Sequence, residues 1–338
     1  MGFIDLIYQK AKEEKKRIAV PECSNPNMMR SCVKAAADGI AEIIFVGDQE
    51  NCEKVARENN IDLSGVKIVN IHDTEYKTKL LEKYAELPKK ALSRKSVEKR
   101  MASPLYMALT MEAVGEADCT FGGLDTTTHE FVMAAQGILG LASGVNAPSG
   151  MLLMEIDGYE GAQGNIFGMS DGAVNTEPTS DTLAGIAISS CETFTSVTGK
   201  EALCAFLSYS TDGSGSSPSV EVVREALKKA TELRPELKID GEFQADAAIV
   251  SRVAKKKVKR ESKVAGQANV LIFPDAASCN IATKLIQQFA KGHSYGPIYQ
   301  GFGKPVLDCS RGDTEERIYD NVAFCSVMAA SKRTEEEV

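Results

Sequence analysis

The chain has 338 residues, 43% of them hydrophobic and 25% charged, with no tryptophan; this is ordinary for a soluble protein and long enough for two domains of roughly 100–200 residues each. A formal net charge of −8 argues against broad nucleic-acid contact, which needs a basic surface to displace counterions, yet it leaves room for a phosphorylated ligand in a local basic pocket. No apolar run approaches the roughly 20 residues of a membrane span; nine scattered cysteines without a CxxC pair, three histidines and no secretory signal pattern argue against a metal site and for reduced thiols in a cytoplasm.

Residues 1–17 are amphipathic and read as a first surface helix. Short apolar runs then alternate with helical spacing. Ile18–Val20 and Ile43–Val46 read as buried parallel strands, and Val66–Ile71, with Lys67 and Asn70, as a strand nearer a sheet edge. Asn27–Asp38 and Glu50–Asn59 are the helices between them. Such alternation predicts right-handed βαβ crossovers and a helix-covered sheet.

Thr78–Ala113 reads as several helices broken at Pro88 and Pro104, Ala117–Phe121 as the next strand and Phe131–Leu141 as an apolar helix. Met151–Ile156, Ala202–Leu207 and Val270–Phe273 are strand candidates of a second domain, with helices at Thr182–Thr195, Ser219–Leu233 and Ile281–Phe289. A last helix spans Thr314–Ala330. The expected division is 1–145 for the first α/β domain and 146–312 for the second, with residues 313–338 able to fold back on the first.

Three segments carry candidate chemistry. Ser208–Pro218 follows a strand and precedes a helix, and its Gly/Ser content would let backbone N–H groups and the helix N-terminus approach an anion; the competing reading is a flexible loop with Ser217 or Ser219 as helix cap. Ile239–Ile249 clusters Asp240, Glu242, Gln244 and Asp246 among small and apolar residues, able to orient a ligand or merely to cap and hydrogen-bond. Pro305–Gly312 presents Ser310 and Arg311 after a short strand: a hydroxyl able to donate to an oxyanion or a leaving sulfur, and a permanently charged fork suited to phosphate. Asp313–Glu316 fits the spacing of a capping box. The basic run Lys255–Arg260 is a solvated face or, beside a cleft, a holder of nucleotide phosphate.

Taken together, Ser208–Pro218, Ile239–Val250, Val264–Asp275, Asn280–Lys284, Tyr295–Gly301 and Lys304–Gly312 resemble the phosphate acetyltransferases (phosphotransacylases), in the same order; Ile18–Glu22, Gly39–Asp48 and Pro104–Tyr106 extend the likeness more loosely. The resemblance implies two α/β domains with mostly parallel sheets, of isocitrate-dehydrogenase-like architecture, and an interdomain cleft. It implies transfer of a short acyl group, acetyl first and propionyl or butyryl next, between coenzyme A and phosphate, with CoA as substrate, no resident cofactor or metal, and a homodimer. It places Ser310 and Arg311 at the chemistry with Asp313 or Glu316 as base. It lines the site with Ser208, Ser210, Thr211, Gly213, Ser214, Thr127, Thr128, Asn280, Tyr295, Gly296 and Pro297. Several family residues are replaced: arginines by Pro88, Met133 and Gln288, an aspartate by Arg317, a glycine by Cys279, and a His-Ser/Thr pattern by Asp125–Thr128. These replacements motivate a second reading, an idle paralogue that binds acyl-CoA or a partner protein. A third, a dinucleotide-dependent oxidoreductase, lacks a GxGxxG after a strand.

Overall fold

The computed structural model describes residues 2–331. The chain forms two compact units: unit 1 takes the residues up to Ala142 and those from Phe302 onward, and unit 2 takes Ser143–Gly301.

Unit 1 contains β1 (Lys16–Val20), β2 (Ala41–Gly47), β3 (Lys67–Asn70), β4 (Cys119–Gly122) and β11 (Val306–Asp308), all parallel, in the order β3-β2-β1-β4-β11. The strand with Lys67 and Asn70 is indeed at the edge. Helices α1 (Phe3–Glu13), α2 (Pro26–Ala37), α3 (Gln49–Glu58), α4 (Thr74–Glu86), α5 (Arg94–Glu98), α6 (Pro104–Ala113), α7 (Thr128–Leu139) and α13 (Glu315–Ala330) accompany them. Pro26 and Pro104 open helices, where their missing N–H costs nothing. Asn25, Asp48 and Asp73 cap α2, α3 and α4 through side-chain oxygens. Helix α13 lies on α1 and α2: Tyr8 bonds Asp320, Ser31 Oγ donates to the Glu315 carbonyl at 2.8 Å, and Arg30 pairs with Glu315 at 2.7 Å. The segment 313–338 expected to fold back extends past 331, and those residues lie outside the described ones.

Unit 2 contains β5 (Ser149–Glu155), β6 (Ile166–Ser170), α8 (Ser180–Thr198), β7 (Leu203–Leu207), α9 (Pro218–Leu233), β8 (Lys238–Phe243), α10 (Ala245–Ile249), α11 (Ser251–Lys257), β9 (Val270–Ile272), α12 (Ala276–Phe289) and β10 (His293–Gln300). Its order is β10-β5-β6-β9-β7-β8. The β10–β5 and β5–β6 pairs are antiparallel; the rest are parallel. Its core gathers Met154, Phe167, Met169, Leu207, Phe243 and Leu271.

Three strands, β6, β8 and β10, were not among the strands expected from sequence. β6 is IFGMS with a glycine inside it, and β10 carries Gly296-Pro297 at its centre. Proline cannot donate to a ladder, and the β10–β5 register shifts between Tyr295 and Ile298. The division also differs from the expected one. The segment 302–312 belongs to unit 1, because β11 pairs along β4 through Val306↔Thr120, Leu307↔Phe121 and Asp308↔Gly122.

Candidate active site

In unit 1 the chemistry-bearing loops leave the carboxyl ends of three neighbouring strands, β1, β4 and β11. The strand order reverses direction between β1 and β4, the place where open α/β sheets leave a crevice. Glu22 follows β1 and is buried. Its carboxylate accepts the backbone N–H groups of Gly123, Leu124, Asp125 and Thr126 at 2.8–3.1 Å, fixing the loop after β4. Gly123 sits at φ +115, and a Cβ there would meet the Cys309 carbonyl at 2.5 Å, so only glycine lets the two loops approach.

That loop ends at Thr127, whose Oγ1 caps α7 by accepting from Glu130 N at 3.2 Å. Thr128 Oγ1 donates to Asp308 Oδ2 at 3.1 Å, at the buried end of β11. Then comes a turn. Ser310 N donates to Asp313 Oδ2 and Asp313 N to the Ser310 carbonyl, both at 2.9 Å, while Ser310 and Arg311 project into solvent. The expected capping box is corrected here: Thr314 caps α13 by accepting from Arg317 N, and Asp313 closes the Ser310 turn instead. Arg317 Nη1 lies 3.7 Å from the Asp313 carboxylate. Glu316 is exposed on α13 and raises the pKa of Asp320 one turn further on, an acid that burial already pushes up.

Unit 2 places its loops on the carboxyl ends of β7, β8, β9 and β6. The Ser208–Pro218 loop is not flexible, because Glu242 organises it from below. The Glu242 carboxylate accepts Ser210 Oγ at 2.7 Å, Gly213 N at 3.0 Å and the Arg224 guanidinium at 3.0 and 3.1 Å. Burial alone would raise its pKa, but these donors outweigh that and hold it at about 2. Arg224 also donates to the Gly215 carbonyl at 2.9 Å.

Several further amides of the loop are satisfied locally. Ser210 N bonds Ser208 Oγ, Thr211 N bonds Ser214 Oγ and Gly215 N bonds Ser210 Oγ. The amides of Ser210, Thr211, Gly213 and Gly215, part of the expected backbone cradle for an anion, are therefore already engaged. Ser210 is fully buried and Thr211 nearly so, and they bond Glu242 and Gln244; they hold the loop rather than face a ligand. Ser208, Gly213 and Ser214 keep accessible surface. As expected, Ser217 caps the helix that follows, α9.

Asn280 is exposed on the first turns of α12, whose cap is Asp275; its neighbour Cys279 is buried, which pushes its thiol to about 12. Tyr295, Gly296 and Pro297 are half-buried at the bulge of β10, and Tyr295 Oη donates to Glu155 at 2.9 Å. Asp171, at the end of β6, accepts the N–H groups of Gly150, Ala173, Val174 and Asn175, a second carboxylate-pinned loop. Among the described residues no group of three or more potential ligands could hold a metal, and no helix is long and apolar enough to cross a membrane.

Glu22, Asp171, Arg224 and Asp308 were not singled out from sequence. The one available signal is an acid at or just past the end of a strand, as in Pro21-Glu22 and Leu307-Asp308. It does not reveal which loop the acid will hold.

The family described as phosphate acetyl/butaryl transferase matches residues 2–326 of this chain. The chain belongs to that family. It is accordingly an enzyme of the phosphate acyltransferase class. It is 39% identical to a phosphate acetyltransferase of Clostridium acetobutylicum over 97% of this chain and 99% of that one. A phosphate acetyltransferase of Thermoanaerobacterium thermosaccharolyticum is 36% identical, with 97% and 100% covered. A solved phosphotransacetylase from Streptococcus pyogenes has the same fold, with a TM-score of 0.88, 31% identity and 98% of both chains covered. The family match, and with it the α/β fold, agrees with the resemblance read from the motifs.

Proposed function

We propose that the chain moves an acetyl group between coenzyme A and inorganic phosphate. The CoA sulfur attacks the carbonyl carbon of acetyl phosphate, the carbon–oxygen bond to phosphate breaks, and acetyl-CoA and phosphate leave. The observation that carries this is the Ser310–Arg311 pair, exposed at the carboxyl end of β11 in a chain of the acyltransferase family. Arg311 supplies a permanent planar cation for the phosphate oxygens. Ser310 donates its hydroxyl to the oxyanion or to the sulfur.

A CoA thiol with an ordinary pKa of about 8.5 is mostly protonated at neutral pH, so a base helps. We assign that role to Asp313, which closes the Ser310 turn and therefore sits beside the reacting groups. Glu316 takes second place, since its field acts on Asp320 along the helix. In unit 2 we assign the CoA contacts to Ser208, Gly213, Ser214, Asn280 and Tyr295–Pro297. Thr127 and Thr128 serve the acyl phosphate.

We read the working form as a cytoplasmic homodimer. Its support is an apolar row on one face of α12, Ile281, Leu285 and Phe289, which are 60%, 47% and 84% exposed.

The test is a thioester absorbance assay of purified protein with acetyl, propionyl and butyryl phosphates. Acetyl should be turned over fastest. Arg311→Ala and Ser310→Ala should each lower kcat/KM by about 100-fold. Unchanged rates in both variants, or no turnover by the wild type, overturn the proposal.

A further inference from the structure

The basic run Lys255–Arg260 divides into paired and unpaired cations. Lys257 Nζ lies 2.8 Å from the Asp246 carboxylate and 2.8 Å from Gln244 Oε1. Arg260 bridges Asp212 and Asp240, each at 2.7 Å. Among the described residues, by contrast, no ion pair holds Lys255, Lys256 or Lys259, and all three are exposed.

Their location is fixed by the same contacts. Lys259 N donates to Asp212 Oδ2 at 3.4 Å, and Arg260 holds that carboxylate from the other side. Asp212 adopts φ +50 and Gly213 φ +87 at the tip of the Ser208–Pro218 loop. The unpaired lysines thus begin at the residue that touches this loop and continue back along α11. The loop's amides at Thr211, Gly213 and Gly215, and the half-buried Arg224 of α9, are committed internally. It therefore offers polar surface but little positive charge of its own.

Coenzyme A carries a pyrophosphate and a 3′-phosphate at its nucleotide end. On a chain of net charge −8 such a group is repelled unless cations are concentrated where it lands. We propose that Lys255, Lys256 and Lys259 receive the phosphates of the nucleotide end of coenzyme A, while the adjoining loop contacts the chain that leads to its sulfur. This rests on the CoA half of the function proposed above. Exposed, mobile ammonium groups suit the far end of a long ligand; they act on affinity and leave the reacting atoms to other residues.

The test is calorimetric binding of CoA to the full-length protein, beside the transfer assay. Lys255→Ser/Lys256→Ser/Lys259→Ser should weaken CoA about five- to tenfold at low ionic strength, and the difference should shrink near about 0.5 M salt. Affinity for acetyl phosphate is the internal reference and should not move. A control removes the same charge elsewhere: Lys54→Ser/Lys79→Ser/Lys228→Ser, exposed on α3, α4 and α9, should bind CoA as the wild type does. If the first variant binds CoA like the wild type, or both variants lose affinity equally, the subsite is overturned. Transfer with unaltered CoA binding in the first variant removes the subsite and leaves the enzyme. A selective loss of CoA binding without any transfer activity removes the proposed reaction and leaves the subsite. No CoA binding by the wild type removes both.

Discussion

The turn Cys309–Thr314 and the loop Ser208–Ser217 are placed alike in sequence. Each follows a short apolar strand, contains serine, glycine and aspartate, and precedes a helix. They use their polar groups in opposite ways. The loop of unit 2 turns Ser210 and Thr211 inward and bonds its amides to its own side chains and to Glu242. The turn of unit 1 needs only Asp313 to close it and leaves Ser310 and Arg311 exposed. Similar composition thus yields one element that is mainly scaffold and one with free valence for chemistry.

This contrast can be broken most directly at Glu242. Glu242→Ala should destabilise the protein by about 3 kcal/mol in urea unfolding, since it leaves the half-buried Arg224 guanidinium and the loop donors without their shared acceptor. Arg311→Ala, at an exposed side chain, should change stability by less than about 0.5 kcal/mol while lowering the rate. Equal stability losses in both variants would erase the distinction.

A second effect is pH dependence, with opposite signs in the two units. Glu242 is depressed from 4.5 to about 2, so its contribution is present above pH 4.5 and disappears as pH falls towards 2. Glu242→Gln should flatten that acid limb, which amounts to about 2 kcal/mol. Glu112 in α6 is fully buried, accepts Thr120 Oγ1 at 2.7 Å, and is pushed by burial to about 8. Its contribution is complete below pH 4.5 and is lost as pH rises through about 8. Glu112→Gln should therefore improve stability above pH 8 relative to wild type, read as a flatter alkaline limb of the melting temperature.

The smallest expected effect lies at the junction of loop and turn. Thr128→Val removes one hydroxyl bond to Asp308 and should cost about 1 kcal/mol. Acetyl-phosphate KM should rise in the same variant; a stability loss with unchanged KM would mark Thr128 as scaffold, like Ser210.

Much of this was legible in the sequence. Ile18–Val20, Ile43–Val46, Ala202–Leu207 and Val270–Phe273 read as strands because a buried parallel strand is a short, uninterrupted β-branched or aromatic run. β10 was missed because Gly296-Pro297 breaks that pattern, and β6 because Gly168 interrupts its apolar run. The Ser310–Arg311 pair was legible as a motif. Asp313 was read as part of a helix cap, because an acid three residues before a glutamate fits that pattern as well as it fits a turn.

The sequence by itself determined the α/β alternation, the family and the short motifs, because each is written in residues adjacent along the chain. Tertiary structure alone decided which loop each acid holds. Glu22 meets its amides 101–104 residues away, and Glu242 meets Ser210, Gly213 and Arg224 at separations of 18–32. Such pairings depend on which strands become neighbours, and the placement of β11 beside β4 is what carries Ser310 and Arg311 into unit 1. The division between scaffold loop and reactive turn has the same origin: a serine is committed or free according to whether a buried carboxylate lies beneath it.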